Sequence, residues 1–196
     1  MAGTICDSAS QYVARMRELL AQLDVVAVDR LANLLYQAWR DDRRVFIFGN
    51  GGSALTASHQ ACDLLKTASV DGQRRLQVLA LSESTGLITA IGNDLSYDQI
   101  FRFALETHAR RGDIAIAISA SGNSPNVLIA CEWARETGLM VIALTGHSGG
   151  KLAALADLHV NVPSDNYGLI EDLHLSIGHI AAQMLRSRIM GECGLR

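Results

Sequence analysis

The chain has 196 residues, of which 49% are hydrophobic and 19% are charged, and its formal net charge is -3. This length and apolar content predict one domain, residues 1–196, and the slight negative charge excludes a broad basic surface for nucleic acid or an anionic membrane. The four cysteines are scattered without a CxxC pair, and no apolar run approaches the length of a membrane span. We therefore expect a cytoplasmic protein without a disulfide framework.

The first 40 residues carry apolar positions at helical spacing, which predicts two helices that pack on the core or at a subunit interface. Five short apolar runs separated by helical segments then predict strands: VFIFG, LQVLALS, IAIAIS, MVIALTG and LHVNV. Because parallel strands need crossover helices, this alternation predicts an α/β three-layer sandwich with a five-stranded parallel sheet. A long helix is expected last, with a shared apolar face of Ile170, Leu173, Ile177, Ile180 and Met184.

The loop after IAIAIS has the residue types that bind phosphate. It supplies three hydroxyls, from Ser119, Ser121 and Ser124, directly before a helix that begins near Pro125. Because a helix N-terminus offers unpaired N–H groups and a partial positive charge, hydroxyls placed there form an anion cradle that needs no lysine. The alternative is that Ser124 only caps the helix and that the other serines only form the turn.

The loop after VFIFG, residues 49–54, matches the loose dinucleotide pattern G-x-G-x-x-G/A, which makes a nucleotide-dependent dehydrogenase a rival. Such an enzyme needs an acid at the end of its second strand to bind the ribose. Asp71 has the spacing but precedes LQVLALS, and Glu83 follows that strand at too great a distance. A nucleotide also leaves the serine loop unexplained, so we predict a phosphosugar site between the two loops and no nucleotide cofactor.

Three segments in combination resemble the phosphoheptose isomerases of the SIS superfamily, which have a flavodoxin-like sheet: GNGGSA, TAIGNDLSYDQIF, and SASGNSPNVL followed by LTGHSGGKLAALAD. The resemblance covers nearly the whole chain, with Ala120 where the family usually has threonine. It implies a homotetramer with active sites at subunit interfaces, and interconversion of sedoheptulose 7-phosphate and a heptose 7-phosphate through an enediol. The substrate-binding residues that it implies are Asn50, Gly51, Gly52, Ser53, Asn93, Asp94, Ser119, Ser121 and Ser124.

The candidate catalytic groups lie on two predicted helices. His59 and Asp63 are four residues apart and share one helical face. Glu171 and His179 are eight residues apart, offset by about 80° around the helix, and are expected to face one cleft. The resemblance implies that these positions hold zinc or another divalent ion and transfer protons, although the family has glutamate in place of Asp63 and glutamine in place of Glu171. We assign Glu171 or Asp63 as the base and His179 as the acid.

Several alternatives stay open. A helical histidine with a carboxylate four residues later is commonly a solvated surface pair, and His174 and His179 also suit the polar face of an interface helix. Asp172 competes with its neighbour Glu171 as a carboxylate. The chain is also compatible with an isomerase of another ketose phosphate, or with a non-catalytic member of the superfamily that binds a phosphosugar or a protein partner.

Overall fold

The computed structural model describes residues 5–194, so the first four and last two residues of the predicted domain lie outside the described part. The strands are β1 (Arg44–Gly49), β2 (Gln77–Ala80), β3 (Ile114–Ser119), β4 (Met140–Thr145) and β5 (Leu158–Asn161). The helices are α1 (Ala9–Ala21), α2 (Val25–Arg40), α3 (Gly52–Cys62), α4 (Thr85–Asp94), α5 (Ile100–His108), α6 (Pro125–Thr137), α7 (Leu152–Leu155) and α8 (Tyr167–Glu192).

All five strands pair in parallel, in the order β2-β1-β3-β4-β5. The chain therefore runs outward from β1 to β2 and then returns to β3 on the other side of β1. Such a reversal opens a crevice at the carboxyl ends of the two central strands, because the loops that follow them diverge. The predicted five-stranded parallel sheet is confirmed, and its switch point lies between β1 and β3.

Both faces of the sheet are covered by helices. Val45 and Ile47 of β1 pack with α2, α3 and α8, whereas Phe46 and Phe48 point to the opposite face and pack with α5, α6 and α7. Burial on both faces explains why the strands read as continuous apolar runs rather than as an alternating pattern. The predicted three-layer sandwich is confirmed.

The two predicted N-terminal helices are present and differ in how they attach. Helix α2 buries one apolar stripe, including Leu31 and Leu35, and packs along α8. Helix α1 is capped by Ser8, and the only buried residue within it is Leu19. Within residues 5–194, none of the helices combines the length and the apolar character needed to cross a membrane.

Helices α3 and α8 lie side by side and run in the same direction. The buried side chain of Gln60 in α3 donates a hydrogen bond from Nε2 to the carbonyl of His174 in α8, at 2.9 Å. A Cβ atom at Gly178 would collide with that Gln60 side chain, so the glycine permits the close approach of the two helices. Helix α3 then continues into a π-helical turn, Asp63–Thr67. Such turns are frequent at functional sites.

Candidate functional site

A cavity of about 320 Å³ lies at the switch point of the sheet, between the loops that follow β1 and β3. Its volume is in the range of small-molecule sites. None of the described residues that line it is a lysine or an arginine. The lining consists of Asn50, Gly51, Gly52, Ser53, Ile118, Ser119, Ala120, Ser121, Ser124, Tyr167 and Glu171.

Two helices begin at this cavity without a side-chain cap. Gly51, the residue before α3, has no side chain that could accept from the first turn, and Ser124, the residue before α6, makes no capping hydrogen bond. In the first turn of α6, Pro125 has no N–H group and the Val127 N–H donates to Asn126 Oδ1, so the Asn126 N–H and the N–H groups of Gly52 and Ser53 remain for a ligand. The alternative in which Ser124 serves only as a cap is wrong, and the converging N-termini suit an anion.

The serine hydroxyls of the second loop have separate tasks. Ser119 Oγ accepts from the Gly122 N–H at 3.2 Å, and Ser121 Oγ accepts from the Asn123 N–H at 3.2 Å. These two serines thus hold the turn, as the alternative interpretation proposed, and they also line the cavity. Ser124 Oγ lies 3.5 Å from Ser119 Oγ, so both hydroxyls can bind the same group of a ligand. We call this loop, together with residues 50–53, the cradle.

Glu171 lies at the cradle rather than with the histidines. A Cβ atom at Gly52 would collide with the Glu171 carboxylate, which therefore sits directly over the first turn of α3. Within residues 5–194 this side chain makes no hydrogen bond and no ion pair. The neighbouring Asp172 instead accepts from the Tyr12 hydroxyl of α1 at 2.6 Å, outside the cavity lining. Burial and this hydrogen bond raise the pKa of Tyr12 to about 12.

Further along α3 and α8, three predicted ligands come together. His59 Nε2 and His179 Nε2 lie 3.0 Å apart, and Asp63 Oδ2 lies 3.5 Å from the first and 3.3 Å from the second. Asp63 Oδ1 accepts from Thr67 Oγ1 at 3.0 Å, which orients the carboxylate. The aspartate side chain is 16% exposed, while the two histidines are about half exposed, at 50% and 45%. We call these three residues the cluster.

The cluster fits a divalent ion. One atom from each residue lies within 4.8 Å of the others, and two imidazole nitrogens with one carboxylate oxygen form a donor set suited to zinc. Three protein ligands and an exposed side leave a coordination position for a substrate, as in catalytic zinc sites. A simple surface pair of His59 and Asp63 would not account for His179, which reaches the same point from another helix.

Of the four predicted metal ligands, the structure brings these three together, and Glu171 lies apart from them. Glu171 and His179 lie on related faces of α8, as their spacing predicted, but eight residues also separate them by about 12 Å along the helix axis. On α3 the seven residues from Gly52 to His59 give about 10 Å. Glu171 therefore belongs to the cradle, and the cluster lies further along α3 and α8.

Asn93 and Asp94, which the resemblance assigned to substrate binding, are exposed at the end of α4 and lie outside the cavity lining. The short turn that follows them does reach the site, because the Tyr97 hydroxyl donates to Asn50 Oδ1 at 3.1 Å. Asn126, in the first turn of α6, is also part of the site, through two hydrogen bonds to Asn50. Tyr97 and Asn126 were not among the predicted site residues, although both lie within the segments that carry the resemblance.

His174 lies on the buried side of α8, between Glu171 and His179 in the sequence, and not on a polar face. Its Nε2 donates to the carbonyl of Thr145 at 3.0 Å, so Nδ1 is the unprotonated nitrogen, and it has no partner within residues 5–194. Burial lowers the pKa of His174 from 6.5 to about 4. The imidazole is therefore neutral near pH 7 and ties α8 to the end of β4.

Comparison with known proteins places this geometry in a family. Residues 11–146 match the family model of the SIS domain. The chain is 37% identical over 163 residues to the phosphoheptose isomerase of Geobacter sp. (strain M21), covering 83% of this chain and 84% of that protein. It is 40% identical over 169 residues to the phosphoheptose isomerase of Helicobacter hepaticus, with coverages of 86% and 83%.

The chain belongs to the phosphoheptose isomerase family of SIS-domain proteins. Solved structures agree, since the phosphoheptose isomerase of Neisseria gonorrhoeae superposes with a TM-score of 0.84 at 33% identity, covering 91% of this chain and 96% of that one. The phosphoheptose isomerase of Francisella tularensis gives the same TM-score and coverages at 30% identity. The family suggested by the loop sequences is thereby confirmed.

Proposed function

We propose that the protein interconverts sedoheptulose 7-phosphate and a heptose 7-phosphate. The observation that carries the proposal is the anion cradle at the switch point of the sheet, together with a cluster of acid–base groups further along the same two helices, α3 and α8. The phosphate would bind at the serine loop of the cradle, and the reacting carbons would lie between the Glu171 carboxylate and the cluster.

The reaction moves one proton between neighbouring carbons. A base removes the proton from the hydroxyl-bearing carbon next to the carbonyl, and an acid protonates the carbonyl oxygen, which gives an enediol. Return of the proton to the adjacent carbon, with loss of a proton from the other enediol oxygen, completes the exchange of aldose and ketose. We assign Glu171 as the base, because its carboxylate lines the cavity without a partner, and His179 as the acid.

Asp63 remains the alternative base, and its contacts with both imidazoles favour a role in the cluster. We propose that His59, Asp63 and His179 hold zinc or another divalent ion. When bound, such an ion supplies Lewis-acid polarisation of the substrate carbonyl. The Asp63 side chain is one methylene shorter than the glutamate usual in the family, which makes it better suited to holding an ion beside the histidines than to reaching a substrate carbon.

We also propose that the protein is a cytoplasmic homotetramer. Large apolar side chains on its first two helices are exposed in the single chain, among them Val13 at 56% and Val26 at 65%. Leu55, one turn before His59 on α3, is 76% exposed, so a partner subunit that covers it would also approach the site. All four cysteines are free, which suits a reducing compartment. Sedimentation should show a species of four times 21.1 kDa. A monodisperse monomer that still turns over substrate would contradict the assembly.

The activity is tested by incubating the purified protein with sedoheptulose 7-phosphate and following heptose 7-phosphate formation, with metal analysis of the same sample. A panel of shorter ketose phosphates tests the second candidate function, an isomerase of another sugar. This candidate is motivated by Asp63 and Glu171, which differ from the residues usual in the family. Turnover of a shorter ketose in preference to sedoheptulose 7-phosphate would replace the substrate. Binding of phosphosugars without turnover of any would favour the non-catalytic class.

A further inference from the structure

Two asparagine side chains connect the two loops of the cradle. Asn50 follows β1 and Asn126 lies in the first turn of α6, so they are 76 residues apart in the sequence. Asn126 Nδ2 donates to Asn50 Oδ1 at 2.8 Å, and Asn50 Nδ2 donates to Asn126 Oδ1 at 2.9 Å. The pair forms a closed ring of two hydrogen bonds across the crevice between the loops.

A backbone group determines which way each amide points. The Val127 N–H donates to the side chain of Asn126 at 3.0 Å, so the acceptor at that position must be the Asn126 oxygen. Asn126 then presents its nitrogen to the oxygen of Asn50. The orientation of Asn50 thus follows from a main-chain donor in a neighbouring loop, and the reversed amide would place two oxygens in contact.

The oxygen of Asn50 is fully used. It accepts from Asn126 Nδ2 and from the Tyr97 hydroxyl at 3.1 Å, which occupies both of its lone pairs. The nitrogen donates one N–H to Asn126 and keeps the second without a partner within residues 5–194, while the residue itself lines the cavity. Asn50 therefore offers the cavity a donor and no acceptor.

Asn126 is buried at 1% exposure, yet it contributes an amide where an apolar side chain would fill the space at less cost. A turn-forming asparagine would satisfy only its own loop. Here the Val127 N–H is local, but the two remaining bonds reach across to Asn50. The side chain that benefits is one that faces the ligand.

We propose that Asn126 is a positioning residue, which holds the Asn50 amide as a hydrogen-bond donor toward an oxygen acceptor of the substrate, such as a phosphate or carbonyl oxygen. Tyr97 supports the same orientation from the segment after α4. The inference rests on the proposed phosphosugar function, because it explains how Asn50 is oriented toward the substrate. The contact that orients Asn50 is its pair of hydrogen bonds with Asn126. It also sets the spacing of the two loops, because the amide ring closes at only one separation.

The replacement Asn126→Asp tests this orientation with almost no change in shape. An ionised aspartate at position 126 still accepts from the Val127 N–H and from Asn50 Nδ2, but its second oxygen faces Asn50 Oδ1 and the two oxygens repel. If the Asn50 amide flips, its oxygen faces the other aspartate oxygen, so one repulsive pair remains. A protonated aspartate donates to Asn50 Oδ1 and restores the ring. Burial raises the pKa of a carboxyl group, so this recovery should occur above the ordinary range of aspartate.

The experiment is calorimetry of sedoheptulose 7-phosphate binding to the full-length protein between pH 5.5 and 8.5, with each variant expressed relative to the wild type at the same pH. We expect Asn126→Asp to bind about tenfold more weakly at pH 8.5 and to approach the wild type at pH 5.5. Asn126→Ala should bind about tenfold more weakly at every pH. Asn33→Asp, an exposed change on α2, controls for the added charge and should not differ from the wild type.

The outcomes separate the two proposals. If the wild type binds the phosphosugar and both Asn126 variants bind equally well at pH 8.5, the positioning role is wrong and the proposed function stands. A constant defect of Asn126→Asp across the pH range, equal to that of Asn126→Ala, would reduce Asn126 to a packing residue and overturn the orientation argument. If Asn126→Asp fails to fold, the Asn126→Ala variant decides the question. Unchanged affinity in Asn126→Ala is then sufficient to overturn the positioning role. If the wild type binds no phosphosugar, both proposals fail.

Discussion

The cradle and the cluster differ in how their polar groups are satisfied. At the cradle, the two asparagine amides bond to each other, the Ser119 and Ser121 hydroxyls accept from backbone N–H groups, and Asn126 and Ser119 are buried. At the cluster, two half-exposed imidazoles and a carboxylate converge on one point. A network with its internal bonds made is preorganised for a ligand, whereas converging lone pairs require a cation or a proton between them.

Because the cradle and the cluster would bind by different means, substitutions should impair them separately. Damage at the cradle should weaken binding of the phosphate and leave the metal in place. Damage at the cluster should remove the metal or the acid–base chemistry and leave the phosphate bound. Glu171 is the test of this division, because it is a charged group located at the otherwise neutral cradle.

The largest effect is expected from Glu171→Gln. Turnover should fall by about 10²-fold or more, the usual signature of a lost acid–base group. The KM should stay the same or decrease, because the change removes a negative charge beside the position proposed for the substrate phosphate. Steady-state kinetics with sedoheptulose 7-phosphate measures both parameters, and Asp172→Asn, one residue along and directed toward Tyr12, is the matched control. Full activity in Glu171→Gln together with an inactive Asp63→Asn would assign the base to Asp63.

The second prediction concerns His174, which lies between Glu171 and His179 in the sequence of α8. The folded-state pKa of about 4 lies below the unfolded value of 6.5, so between these values the unfolded chain binds a proton that the folded chain does not. The stabilising effect is complete above pH 6.5 and is lost as the pH falls toward 4. The shift corresponds to about 3 kcal/mol of unfolding free energy.

Urea unfolding at pH 7, 5.5 and 4.5 measures this loss in the wild type and in His174→Gln. The variant should lose less stability over the range, because the glutamine amide donates to Thr145 without titrating. His108→Gln, at an exposed position, should follow the wild type. Equal pH dependence in all three proteins would show that His174 is not the group responsible.

A third, smaller effect is expected at the cradle. Hydrogen bonds to a charged partner contribute about 1.5–3 kcal/mol, so Ser121→Ala or Ser124→Ala should weaken phosphosugar binding roughly 10- to 100-fold. Bound metal should be unchanged in both. His59→Ala should show the reverse pattern, with the metal lost and phosphosugar affinity within a few-fold of the wild type. Calorimetry and metal analysis on the same preparations decide the question, with the exposed Ser187→Ala on α8 as the control. Loss of both properties in every variant would contradict the separation of the cradle from the cluster.

The sequence was most informative where function depends on short contiguous segments. The loop residues Gly51, Gly52, Ser121 and Ser124 could be predicted because a strand, a loop and a helix start leave a local pattern. The angular relation of Glu171 and His179 could also be predicted from the helical period, and the rise per residue gives their axial separation. The pattern of hydrophobic and polar residues predicts which side of a helix a residue faces. It does not predict which residue of a neighbouring helix lies at the same height.

Contacts between distant segments could not be predicted. The ring of Asn50 and Asn126 depends on β1 and β3 being adjacent, and a single asparagine after a proline reads as an ordinary turn residue. The position of His174 in the sequence of α8 is compatible with a histidine on a polar face. Only the packing of α8 against the end of β4 shows that His174 is buried. Pairings of this kind leave no local pattern in one sequence.

The smallest effect is expected from Gly52→Ala, which probes the position of Glu171 without removing it. The added Cβ would occupy the space of the Glu171 carboxylate, and the end of a flexible side chain moves more readily than the backbone. Because displacing a catalytic group costs less than deleting it, turnover should fall roughly tenfold, while the stability of the protein stays close to that of the wild type. Gly191→Ala, where a Cβ meets no atom within 4 Å, is the matched control and should retain full activity. The decisive comparison is the double variant. If Gly52→Ala acts through the carboxylate, it should cause no further fall in turnover in the Glu171→Gln background, where the base is already lost. An additional tenfold fall there would instead show that the methyl group obstructs the substrate phosphate at the first turn of α3, and the placement of Glu171 over Gly52 would then have no catalytic meaning.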